Sequence, residues 1–222
     1  MPKTARCLFV ELDNYQEKTH KKKAKCSRFE CPHRKHTFLY EIFTLFDQND
    51  IRIRRAHAWS ALHSMNRVWK SGMNDNLKRR LFVTTVESVL LYGCEAWALT
   101  VKDEKALDGV YSRILRAALN ASWKDHVRNI DLYGYLPRLS DTIRQRHMRL
   151  AGHCVRHPEL TASEMILWEP THGKKSRGRP RATYIDTLRR DTGLISTAEM
   201  KTLMTDRDQW RAAIRNSRVG WI

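Results

Sequence analysis

Residues 51–72 read IRIRRAHAWSALHSMNRVWKSG, and the spacing of their apolar members decides the fold class. Ala58, Leu62, Met65 and Trp69 stand at i, i+4, i+7 and i+11, the one-face period of an amphipathic helix, and Gly72 ends the pattern. The same period continues downstream. Asn74 is placed to cap a second helix that turns Leu77, Leu81, Val86 and Leu90 inward and Lys78, Arg79 and Arg80 outward, stopping near Gly93. Leu107, Val110, Ile114 and Ala118 form the stripe of a third. After a turn-rich stretch from Asn129 to Pro137, Ser140 is placed to cap a helix with the stripe Ile143, Leu150, Ala151 and Cys154. No segment alternates apolar and polar residues over the length of a strand, so the expected class is all-α, an irregular helical bundle.

The flanks of this body read differently. Residues 1–50 carry a Lys run (Lys21, Lys22, Lys23, Lys25) and a short apolar stretch from Phe38 to Phe46; they form a separate basic segment, expected to be poorly ordered over residues 1–36. The helical body is assigned to 51–172. Residues 173–181, opening GKKSRGRP, hold too few apolar side chains to pack and read as a basic linker. A small helical unit is expected over 182–222, with Ile185 and Leu188 on one helix ended by Gly193. Ser196 and Glu199 are spaced as a capping box ahead of Met200, Leu203 and Met204, and Trp210 and Ile214 mark the last helix.

At 222 residues and 41% apolar content the chain can bury a sizeable core, while 41 Lys+Arg against 24 Asp+Glu leave a net charge of +17. Such an excess favours polyanions, with nucleic acid the leading partner. The longest apolar run, around Ser88 to Tyr92, is far shorter than the roughly 20 residues that cross a bilayer, and the N-terminus has no signal-type apolar core. No membrane association is expected. Five Cys at irregular spacing suggest reduced thiols and an intracellular protein, for which the Lys21–Lys25 run reads as a nuclear import signal, an electrostatic arm or a plain solvated charge run. Enzyme signatures are missing. There is no Asp-Asp pair to hold catalytic metal ions, no phosphate-cradling loop before Gly173-Lys174, and no H-E-x-x-H, G-x-S-x-G or C-x-x-C. The expectation is a non-enzymatic protein with no catalytic residue, no cofactor and no small-molecule substrate.

Several short motifs occur in a particular order: Leu91-Tyr92-Gly93-Cys94-Glu95-Ala96-Trp97, then Arg113-Ile114-Leu115-Arg116 with Asn120-Ala121-Ser122-Trp123. Arg149-Leu150-Ala151-Gly152-His153 with Arg156 comes next, then Gly178-Arg179-Pro180, then Asp206-Arg207-Asp208-Gln209-Trp210. This ordered set, which follows a Val68-Trp69-Lys70 step about twenty residues before Leu91, resembles the C-terminal region of non-LTR (LINE-type) retrotransposon reverse transcriptases over about residues 51–218, including their LYG-x-E-x-W stretch. The resemblance implies a thumb-like helical unit, which in that family grips the primer-template duplex, followed by a C-terminal extension. The family's endonuclease and catalytic palm have no counterpart here, so the chain reads as the tail of a retroelement reading frame. Residues 1–50 match no part of the pattern.

The candidate nucleic-acid contacts fall into three groups. Lys78, Arg79 and Arg80 are taken as one outward face, and Arg146, Arg149, His153 and Arg156 as another, at i, i+3, i+7 and i+10 on one helix. The third is Lys174, Lys175, Arg177, Gly178, Arg179, Pro180 and Arg181, where an Arg-Gly-Arg-Pro core is similar to an AT-hook and suits an extended path along a minor groove. Solvated faces and a plain charged linker are the competing readings. For function, phosphate-mediated binding of duplex DNA or an RNA-DNA hybrid stands against AT-hook-like minor-groove recognition, and against a retroelement relic with no selected role. No metal is assigned. Cys26, Cys31, His33 and His36 have short ligand-like spacings, while His147, His153, Cys154 and His157 crowd one helix and point in several directions. Trp69 and Trp210 are assigned to packing, and Trp97 and Trp123 are open between packing and base stacking.

Overall fold

A computed structural model describes residues 49–168 and 183–217, all within one unit of the chain, Phe43–Ile222. The described residues are helical and include no strand. In chain order they form α1 (49–64), α2 (Asn66–Trp69), α3 (75–90), α4 (Val101–Ala118), α5 (Asn129–Tyr133), α6 (Leu139–Arg156), α7 (Thr161–Ile166), α8 (Tyr184–Thr192), α9 (Thr197–Thr205) and α10 (Arg207–Asn216). The expected disorder of 1–36, the Lys21–Lys25 run, the Cys26/Cys31/His33/His36 set and all of 174–181 lie outside the described residues.

The caps expected from the sequence form, with one exception, while α2, α5 and α7 start without a side-chain cap. The Asn74 side chain accepts from the Asn76 N–H at 2.8 Å at the start of α3. Thr100 and Asp103 close a reciprocal box on α4, and Asp206 accepts from the Asp208 and Gln209 N–H groups at the start of α10. Ser196 accepts from the Glu199 N–H, one half of the capping box its spacing predicts. The exception is α6. It begins one residue before Ser140, with Arg138 in the cap position, and the Asp108 carboxylate of α4 accepts both the Ser140 N–H at 3.0 Å and the Ser140 hydroxyl at 2.9 Å. A side chain from another helix thus does the work that Ser140 was expected to do.

Two apolar clusters form the interior, and both use α6. The first joins α1–α5 and the start of α6 around Trp69, Phe82, Leu90, Tyr111, Ile114 and Ile143. The second joins the rest of α6 to α7–α10 around Met148, Ala151, Met200, Met204 and Trp210. Their meeting point is inside one helix, between Ile143 and Met148. The C-terminal helices therefore pack on α6 itself. Charged groups cross the same junction: Arg144 of α6 and Arg190 of α8 both pair with the buried Asp191 carboxylate, at 3.3 and 3.5 Å, and Arg190 also pairs with Glu104 of α4.

The LYGCEAW segment fills the joint between α3, α1 and α6. Gly93 adopts φ +75°, a left-handed turn that disfavours any side chain, and so reverses the chain tightly after α3. Leu91, Cys94 and Trp97 are buried, and the Trp97 indole N–H donates to Asp50 at 2.9 Å, which decides Trp97 in favour of packing. From α6, Arg146 donates to the Leu91 carbonyl at 3.2 Å and His147 Nε2 donates to the Cys94 carbonyl at 2.7 Å. From α1, the Arg54 guanidinium lies 4.4 Å from the centre of the Tyr92 ring.

Candidate nucleic-acid interface

The first sequence-assigned face does not form. Lys78 is 6% exposed and Arg79 9%, while Leu77, expected inward, is 49% exposed; only Arg80 of the three cations faces water. The cause is helical phase. Phe82, Val86 and Leu90 define the buried side of α3, and Lys78 lies one turn before Phe82. A π-helical segment at Val83–Glu87 then resets the phase of the downstream half. Arg79 is a clamp: Nε donates to the Leu132 carbonyl at 3.1 Å, Nη2 to the Asp131 carbonyl at 3.0 Å and Nη1 to Asn76 at 3.1 Å, tying α3 to α5.

The second face, on α6, divides. Arg146 turns toward the LYGCEAW joint and pairs with Glu95 at 3.4 Å. Arg149 and His153 are exposed, and Arg156 is half-buried with Nη1 donating to the Met204 carbonyl of α9 at 2.7 Å. The His153 ring lies tilted against that of His157, 4.4 Å between ring centres, and His157 Nδ1 contacts Glu159 at 2.9 Å. Burial, with the nearby His157 and Arg156, holds the His153 imidazole below its ordinary pKa. His147 and Cys154, by contrast, are buried inside the protein. These four residues do not converge, and among the described residues no three His, Cys, Asp or Glu side chains are grouped as metal ligands.

What assembles around Arg149 and Arg156 was not foreseen. Gly152 faces Trp210: a Cβ built on Gly152 would lie 2.2 Å from Trp210 Nε1 and 2.4 Å from Cδ1. The absence of a side chain there lets the Nε1–Cδ1 edge of the indole approach α6, where its N–H donates to the Met148 carbonyl at 2.8 Å. This contact brings α10 onto α6. Arg149 and Arg156 from α6 then share a groove of about 380 Å³ with Arg207, Arg211 and Arg215 from α10, floored by Trp210 and Ile214. The one acidic partner among these arginines is Asp208, which pairs with Arg211 at 3.2 Å and is itself almost fully exposed; among the described residues no carboxylate pairs with the other four. Burial and the positive charges of Arg207 and Arg211 draw the Arg156 guanidinium below its ordinary pKa, as expected where like charges converge. Arg207, Arg211 and Arg215 stand at i, i+4 and i+8, so the signal was present in the sequence as a stripe on the last helix.

Trp69 and Trp210 are both core residues, as their spacing predicts, whereas Trp123 is 77% exposed on a short 3₁₀ turn, Trp123–Asp125. No helix among the described residues is long and apolar enough to cross a membrane.

The chain is 23% identical over 180 residues to an uncharacterized transposon-derived protein of Caenorhabditis elegans, an alignment that covers 76% of this chain and 64% of the relative. The chain thus spans less than two-thirds of that relative's length. No protein-family model matches the sequence, and no solved structure matches it. The similarity supports a transposon-derived origin for the chain.

Proposed function

We propose that this chain is the thumb and post-thumb part of a LINE-type retroelement reading frame, acting as a non-catalytic unit that binds duplex DNA or an RNA-DNA hybrid through phosphates. The observation that carries this reading is how the resembling motifs sit in the fold. The LYGCEAW segment is the joint onto which α6 docks, and the Arg149–His153 segment of α6 packs against Asp206–Trp210 through Gly152 and Trp210. Motifs more than fifty residues apart in sequence are therefore one another's packing partners, as expected of residues that define a shared fold. Chance similarity has no reason to select touching pairs. The transposon-derived relative supports the same origin. Catalysis is left out of the proposal because polymerase and nuclease metal ions need clustered carboxylates, and the sequence has no Asp-Asp pair.

The test is a fluorescence-anisotropy titration of the full chain against AT-rich duplex, GC-rich duplex and RNA-DNA hybrid of equal length. Phosphate binding predicts similar affinities for all three. A marked AT preference that disappears when Arg177 and Arg179 are replaced by Ala would instead support AT-hook-like recognition by the 174–181 segment.

A further inference from the structure

Resting on that reading, we propose that the groove between α6 and α10 is the seat of the nucleic-acid backbone, binding several successive phosphates of one strand without reading bases. Five arginines converge there, and among the described residues a single exposed carboxylate pairs with any of them. Arg207, Arg211 and Arg215 rise along α10 in steps of about 6 Å, so their Cα atoms span about 12 Å. At about 3.4 Å of axial advance per phosphate on each strand, that span covers three or four phosphates of a duplex strand. Arg149 and Arg156 stand across the groove, so the backbone is met from two helices.

The floor determines what else the groove can recognise. Trp210 is fully buried and its N–H is committed to the Met148 carbonyl, so it offers neither a ring face for base stacking nor a donor for a base edge. Ile214 adds only apolar surface. Among the described residues no amide or carboxylate side chain, the groups that pair with adenine and cytosine edges, lines the groove; arginine pairs with guanine, so a preference for GC-rich over AT-rich duplex would count against binding through phosphates alone. The site therefore distinguishes charge and spacing, and its affinity arises from counterion release.

The experiment compares the full chain with R207Q/R211Q/R215Q and with R52Q/R55Q/K70Q, which removes the same charge from exposed positions remote in sequence from α10. Affinity for a GC-rich duplex is measured over a range of salt. Removing the groove arginines should weaken binding about ten-fold or more at low salt and flatten the slope of log K against log salt by about 2 to 3, at about 0.9 for each lost phosphate contact. The control triple should change both far less. Circular dichroism checks the fold, and if the groove triple is not folded, R149Q/R215Q carries the test with a slope change of about 2. Equal effects of the two triples, with the wild-type chain binding normally, would overturn the groove and leave nucleic-acid binding intact. A wild-type chain that binds no duplex would overturn both. Displacement of the duplex by polyglutamate as readily as by unlabelled DNA would also overturn the proposal, in favour of an acidic protein segment.

Discussion

Replacing Gly152 with Ala adds one methyl group at the contact on which the C-terminal half is assembled. The new carbon would sit 2.2 Å from Trp210 Nε1, 2.4 Å from Cδ1 and 3.0 Å from Arg156 Nη1. Carbon contacts settle at about 3.5–4.0 Å, so the indole must retreat by more than about 1 Å. Trp210 is a rigid ring enclosed by Met148, Met204 and Ile214, which leaves little room for that movement. Overpacking of this kind costs about 1–3 kcal/mol. Losing the bond to the Met148 carbonyl adds about 1 kcal/mol, and the better helix propensity of Ala returns about 1 kcal/mol. The net is a destabilisation of about 1–3 kcal/mol with the ring still inside, rising toward the cost of deleting it, about 3–5 kcal/mol, if it leaves. Gly109 provides the control. It lies within α4 with nothing within 4 Å of its built Cβ, so the same substitution there should stabilise by about 0.5–1 kcal/mol. Urea denaturation followed by tryptophan fluorescence and circular dichroism reads both. A Gly152→Ala midpoint equal to or above wild type would refute the claim that α6 and α10 close on a bare glycine.

Three further outcomes are expected. His147 is buried, and burial lowers its pKa from the ordinary 6.5 to about 4, so the native state binds fewer protons than the unfolded chain between those values. Stability should therefore be full above pH 6.5 and fall as pH drops through this window, by about 3 kcal/mol for this group; urea midpoints across pH should show a flatter acid limb in H147Q than in wild type. Arg79→Ala should cost about 2–4 kcal/mol because the Asp131 and Leu132 carbonyls lose their side-chain donor, whereas Arg80→Ala on the exposed side should stay within about 0.5 kcal/mol, both measured by thermal melts. Primer extension on an RNA template with Mg²⁺ should yield no product from the purified chain, and extension that survives repurification would contradict the non-catalytic reading.

The helices were legible because their apolar residues recur at 3.6-residue spacing. The stripes Ala58–Leu62–Met65–Trp69, Leu107–Val110–Ile114–Ala118 and Ile143–Leu150–Ala151–Cys154 face the core as read, with Met65 and Leu150 only partly buried. Only the first turn of α3 was misread, with Leu77 outward and Lys78 inward, while Leu81, Val86 and Leu90 face the core as read. Only the tertiary partners, Phe82 and Val86 packed under α4 and Arg79 reaching α5, fix which side faces inward. The start of α6 escaped for a similar reason, since its cap is Asp108, some thirty residues upstream. The groove needed both kinds of information. The i, i+4, i+8 arginines of α10 are visible in the sequence, but their meeting with Arg149 and Arg156 depends on Gly152 facing Trp210, a contact that no local pattern encodes.

The central claim, that this helical unit binds nucleic acid through phosphates, is tested most directly by the salt dependence of duplex affinity for the full chain. Engagement of the five groove arginines predicts a log K against log salt slope of about −4 or steeper, the same for AT-rich and GC-rich duplexes. A slope near zero, or no measurable binding at about 50 mM salt where such contacts are strongest, would contradict it.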